Sequence, residues 1–200
     1  MKDLKRSARS LNTGLDLVFW LLLGVGIFTV GFHATALYKL FTDPAALSGK
    51  MELSVDWLTL KAYHGFGIDL DGAVRMKLIQ LLSAAAFTYI GCRAICVLKQ
   101  ILLPIEVGQP FRSGISSDIQ SLSGYAFWMG FTENLSMLAT VILMETHYDL
   151  PTLLLHDPIS RVSIDWDTRP AWFIVTAVLT ILAMVFRRGE ELQTLSDETL

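Results

Sequence analysis

Leu17-Val18-Phe19-Trp20-Leu21-Leu22-Leu23-Gly24-Val25-Gly26-Ile27-Phe28-Thr29-Val30-Gly31-Phe32-His33-Ala34-Thr35-Ala36-Leu37-Tyr38 runs without one Asp, Glu, Lys or Arg. A helix needs about 20 mostly apolar residues to cross the roughly 30 Å hydrocarbon core of a bilayer. This stretch has that length. It also lacks the polar stripe, repeating near every 3.6 residues, that a helix packed on a soluble core would show.

Three further stretches read the same way. Leu78 to Leu98 holds only Arg93 as a charged residue, Ile119 to Met144 only Glu133, and Ala171 to Phe186 none. The last reaches spanning length once Trp172 and Arg187 sit at the two interfaces, where aromatic rings and long cations belong. The whole chain of 200 residues is 52% hydrophobic and 18% charged, below the roughly 25% charged of soluble domains, and its mean hydropathy is +0.49. The expected fold is therefore an all-α integral membrane protein, a four-helix transmembrane bundle. Its spans fall at about 15–40, 76–98, 119–145 and 170–187. An alternative for the N-terminus is a cleaved signal peptide, with Lys2, Lys5, Arg6 and Arg9 before the apolar run and Ala34-Thr35-Ala36 after it. The apolar run exceeds an ordinary signal core, which favours a retained helix.

Cations near helix ends mark the cytoplasmic side. Lys2, Lys5, Arg6, Arg9 and the Arg187-Arg188 pair place both terminal segments in the cytoplasm, against the opposing signal of Lys39, Arg75, Lys77 and Arg169. That orientation makes 41–75 and 146–169 outer loops, 99–118 an inner loop and 188–200 a cytoplasmic tail. Met51, Leu53, Val55 and Trp57 alternate with Glu52, Ser54 and Asp56, a period of two that reads as a strand. Ser163-Ile164-Asp165-Trp166 nearly repeats Ser54-Val55-Asp56-Trp57. The expectation is a small extracytoplasmic β-sheet pairing the two outer loops. Gly108 and Pro110 should end the second helix. Ser117 or Asp118 should cap the third, and Asp167 or Thr168, before Pro170, the fourth.

Glu133 is the costliest choice in the chain, near the middle of the third apolar run beside Asn134. A charged side chain at the bilayer centre costs roughly 2.5–3.5 kcal/mol on insertion scales, so it should face protein or water, or be neutralised. Ala126, Gly130, Glu133 and Met137 share one helix face, and small residues there permit close helix approach. Arg93 is the nearest counter-charge by depth, unless it snorkels to the inner surface, and His33 is a second neighbour. These four side chains, Glu133, Asn134, Arg93 and His33, form the expected intramembrane polar layer, either a structural network or a proton, ion or ligand pathway.

Chemistry-bearing motifs are few. Cys92 and Cys96, one turn apart in an apolar run, read as small apolar side chains, without the further ligands a metal site needs. No Gly-rich phosphate loop or nucleophile–base pair occurs, so the reading includes neither cofactor nor enzyme. Tyr125, Trp128, Trp166 and Trp172 suit interfacial belts, and Gly24, Gly26 and Gly31 suit close helix packing. A net charge of -3 gives no footprint for direct nucleic-acid binding.

Gly108-Gln109-Pro110-Phe111, together with Phe186-Arg187-Arg188-Gly189-Glu190-Glu191-Leu192-Gln193 and the closing Asp197-Glu198-Thr199-Leu200, resembles the bacterial membrane family called domain of unknown function 2975. Members look like four-span proteins with a G-x-P-F element in the inner loop and a tail near F-x-x-G-x-x-L-Q. Phe186, Gly189, Leu192, Gln193, Asp197 and Thr199 match. Glu198 stands where an aliphatic residue is usual, and Leu195-Ser196 where an acidic or Asn residue is common. The resemblance implies a bacterial cytoplasmic-membrane protein without known activity, often encoded beside a small helix-turn-helix regulator. Gly108, Pro110, Phe111 and the tail residues would then form a docking surface for that regulator. The competing reading is a structural clasp in which Phe111 packs under the tail. A small transporter or immunity-type protein using Glu133 is the alternative function.

Overall fold

The computed structural model describes residues 2–42, 51–55, 58–62, 70–107, 114–147 and 170–198. In chain order these form α1 (Lys2–Thr42), β1 (Met51–Val55), β2 (Leu58–Ala62), α2 (Leu70–Val107), α3 (Ile115–His147) and α4 (Ala171–Glu198). Among the described residues four helices are long and apolar enough to cross a membrane. Each carries one of the four apolar runs.

Their packing separates a membrane span from a buried soluble helix. None of the apolar window of α1 is buried inside the protein, and little of the others is. Phe28 is 76% exposed, Leu17 and Trp20 each 67%, and Val185 61%. Apolar side chains on this scale must be covered by something apolar, and isolated patches on soluble proteins are far smaller. The bilayer is that cover, and the protein is a multi-pass membrane protein built on a helix bundle.

The sheet differs from expectation. β1 does pair, but with β2 in the same connection: Met51 faces Ala62, Leu53 faces Leu60 and Val55 faces Leu58 in antiparallel register. A sheet joining the two long connections is not supported. The nearer partner wins because closing a short loop costs less chain entropy than bringing together segments a hundred residues apart. Leu58, Leu60 and Ala62 continue the period-two pattern that identified β1. The Arg161 to Asp167 segment and the caps Asp167 and Thr168 lie outside the described residues.

The residues group into two compact units. The first holds Met1–Ile27, Ala85–Asn134 and Thr168–Leu200, and the second Phe28–Ala84 and Leu135–Asp167. In the first, α1 and α2 meet at glycines. A Cβ on Gly26 would overlap Thr88, and one on Gly91 would come within 2.8 Å of Leu22 Cδ2. Gly24 and Gly31, by contrast, have nothing within 4 Å of that position, so of the three only Gly26 is a packing glycine. Asp16 and Lys99 pair across the same two helices. Between α3 and α4, Ser123 is 2% exposed; its hydroxyl shares a hydrogen bond with Thr180 Oγ1 at 2.8 Å and lies 3.0 Å from the Thr176 carbonyl. Hydroxyls that bond across helices hold spans together where water offers no competing partner. In the second unit Ser83 donates to Ser136 at 2.9 Å, joining α2 to α3.

Candidate functional site

Two places in the first unit gather polar side chains. The first lies at the head of α4. Pro170 opens this helix, its carbonyl accepting from the Phe173 and Ile174 amides at 3.0 and 3.1 Å. That arrangement suits Pro, which has no amide to leave unsatisfied. One residue into the helix, the Trp172 indole N–H donates to Glu133 Oε2 at 2.8 Å. Below this bond a Cβ on Gly130 would stand 2.6 Å from Trp172 Cβ, so only glycine lets α3 and α4 approach this closely. Asn134 donates to the Gly130 carbonyl at 2.8 Å, which turns its amide back onto α3.

This geometry sets Glu133 against a second helix. Measured along α3 alone it is central, but beside α4 it is level with the first turn. There the positive end of the helix dipole favours an anion and an indole is at home. Arg93 is not its counter-charge: the guanidinium is exposed and faces the Tyr125 hydroxyl, in keeping with a snorkelling side chain. His33 belongs to the second unit, where its ring stands edge-on to Phe32. Of the expected layer of four, Glu133 accepts from Trp172, Asn134 donates to the Gly130 carbonyl and Arg93 faces Tyr125, while His33 is part of the second unit. Trp172 and Tyr125, read from sequence as belt aromatics, are the partners that were missed. Their polar edges, opposite two costly charges in an apolar chain, were the available signal.

The second place is the start of α3. Gly114 has φ +102°, a backbone conformation open to glycine without strain, and the Asp118 amide closes the first helical bond onto its carbonyl at 3.1 Å. Ser117 and Asp118 therefore lie inside the first turn and do not cap it. The cap comes from α4. Glu190 Oε1 accepts from the Ser116 amide and Oε2 from the Ser116 hydroxyl, both at 2.9 Å, and the Gly114 and Ile115 amides also turn toward this carboxylate. The first amides of a helix have no partner within it, and an anion there is favoured twice, by hydrogen bonds and by the dipole.

Beside this cap Ile115, Ile119 and Ala183 are buried together, with Ile101, Leu179 and Phe186 packed against them. Phe186 of the tail motif thus points into the protein. Leu192, at 68% exposed, and Leu195, at 60%, point out of it, and Gln193 is exposed with them. Gly189 has nothing within 4 Å of a Cβ position. The backbone at Asp197 is helical, whereas Thr199, Gly108, Pro110 and Phe111 lie outside the described residues. Glu190 and Phe186 tie α4 to the start of α3; the clasp expected of Phe111 falls on a residue outside the described ones. Among the described residues no cluster of three His, Cys, Asp or Glu side chains could hold a metal ion. Cys92 and Cys96 are free thiols.

Fold and site together define a multi-pass helical membrane protein in which polar contacts tie the starts of α3 and α4 to the neighbouring helix. Comparison with family models, with curated proteins and with solved structures finds no match to this chain. The family resemblance rests on its motif residues alone.

Proposed function

We propose that this chain is a bacterial cytoplasmic-membrane protein with both terminal segments in the cytoplasm. In this reading it senses or regulates without enzymatic activity, through a cytoplasmic face that docks a helix-turn-helix regulator. The orientation rests on the cations beside α1 and α4, and the partner class on the resemblance carried by the tail motif.

The observation that carries the reading is the course of α4. The helix does not end where its apolar run ends at Phe186 but continues to Glu198. Glu190 pins the extension to α3, while Leu192 and Leu195, three residues apart on one face, stay exposed beyond the apolar run. A continuous helix presenting apolar anchors at this spacing suits the helix-in-groove mode of recognition.

Co-purification tests it. Full-length protein from its native host should bring down a helix-turn-helix protein, and L192D/L195D should lose it. Deleting the tail would confound the result by removing the α3 cap, whereas the double substitution leaves Glu190 in place. A variant that keeps every cytoplasmic partner of the wild type overturns the docking reading.

A further inference from the structure

Between the end of α2 and the start of α3, within the first unit, lies a cavity of about 390 Å³. Gln100, Leu103 and Pro104 line it from α2, and Ile115, Ser117 and Asp118 from α3. These residues fall between the apolar runs Leu78 to Leu98 and Ile119 to Met144, so the cavity opens at the aqueous edge of the bundle. Pro104 and Ile115 are buried, while Gln100 and Ser117 are exposed. Acceptors outnumber donors around it. Pro104 stands inside α2 and has no amide, so the Gln100 carbonyl loses the donor that a helix supplies four residues on. The side chains of Gln100 and Asp118 make no hydrogen bond or ion pair among the described residues.

The field there favours a cation. α2 carries no basic residue in its last turn, so nothing on the helix itself answers the negative end of its dipole. The positive end of α3 would oppose this, but Glu190 already occupies it through the Ser116 amide and hydroxyl. Cations close by in sequence are engaged elsewhere. Lys99, next to Gln100, pairs with Asp16 on α1, and Arg187 and Arg188 pair with Glu191. An unpaired carboxylate beside apolar walls matches a ligand with a charged head and a hydrocarbon stem. We propose that this cavity binds a small aliphatic amine. Its ammonium donates to Asp118 and to the Gln100 carbonyl, and its carbon chain lies against Leu103, Pro104 and Ile115. An ammonium has three protons to place, and small-molecule sites of about 300–1,000 Å³ set a few polar groups on apolar walls in this way. Such binding needs no cytoplasmic partner, so it stands or falls apart from the docking reading.

Isothermal titration of the full chain in a non-ionic detergent tests the site, with cadaverine, pentanediol and glutarate as probes. Cadaverine should bind saturably. Pentanediol, equal in length but uncharged, and glutarate, of opposite charge, should not. Asp118→Asn should weaken cadaverine binding by about tenfold or more, the effect of losing one charge-assisted hydrogen bond. Pro104→Ala gives the Gln100 carbonyl an amide again and should weaken binding severalfold with Asp118 still in place. Asp71→Asn, at a carboxylate of the second unit, should leave the affinity unchanged. Should Asp118→Asn fail to fold, Pro104→Ala reads the same site, since Ala is the better helix former. No saturable uptake of cadaverine, or equal affinity in wild type and the Asp118 or Pro104 variant, overturns the site. So does an equal loss in Asp71→Asn, the mark of a general attraction between amines and an acidic chain. Arg112 precedes Gly114 by two residues and lies outside the described residues. Binding that emerges only in Arg112→Gln would give the place to the chain's own cation and overturn the proposal as well.

Discussion

Glu190 and Glu133 are both carboxylates near helix N-termini, yet their partners predict different consequences of removal. Glu190 supplies acceptors for the Ser116 amide and hydroxyl, so Glu190→Ala removes a cap. Losing an N-cap costs about 1 kcal/mol, which for a chain of this size lowers the unfolding midpoint by roughly 2–4 °C. Calorimetry in detergent should show that loss, and Ser116→Ala in the Glu190→Ala background should add little, because both changes break one interaction. Glu133 is held by the Trp172 indole. Trp172→Phe keeps the ring and removes the donor, and should destabilise by about 1 kcal/mol, the net worth of an ordinary intramolecular hydrogen bond. A double-mutant cycle with Glu133→Gln should return a coupling of similar size; no coupling would mean that the two side chains act independently. Neither partner was readable locally. The donors lie 39 residues from Glu133 and 74 from Glu190 along the chain, and Ser117 or Asp118 offers a closer cap that the turn at Gly114 leaves inside the helix.

At the scale of elements, the glycines of α3 give the clearest contrast. Gly130→Ala sets a Cβ 2.6 Å from Trp172 Cβ, whereas Gly124→Ala meets nothing within 4 Å. Overpacking of this kind costs typically 1–3 kcal/mol, and Ala is otherwise the better helix former. Gly130→Ala should therefore lower the unfolding midpoint and weaken the Glu133–Trp172 contact, while Gly124→Ala should leave the midpoint unchanged or raise it. Gly26→Ala and Gly24→Ala should divide in the same way on α1. The four apolar runs were plain in the sequence because a bilayer demands length and excludes charge, and the small face of Ala126 and Gly130 was plain because close approach demands it. The pairing of β1 was not. A period of two identifies a strand but carries no information about its partner, and the adjacent Leu58, Leu60 and Ala62 offered the pattern that settled it.

For the whole molecule, the described helices leave most of their apolar surface without protein cover, so stability should depend on the surrounding amphiphile. Delipidation should lower the unfolding midpoint even where the helix content is retained. The proposed topology can be read through fusions and labelling in cells. Fluorescent-protein fusions at the N- and C-terminal segments should both be fluorescent. An alkaline phosphatase fusion within the 148–169 connection should be active, because that enzyme needs an extracytoplasmic environment. The most direct test of the central claim, that the four apolar helices span a bilayer, is carbonate extraction combined with this reporter set. The account predicts that the protein stays in the membrane pellet, with both terminal reporters on one side and the 148–169 reporter on the other. Release into the carbonate supernatant, or terminal reporters on opposite sides, would contradict it.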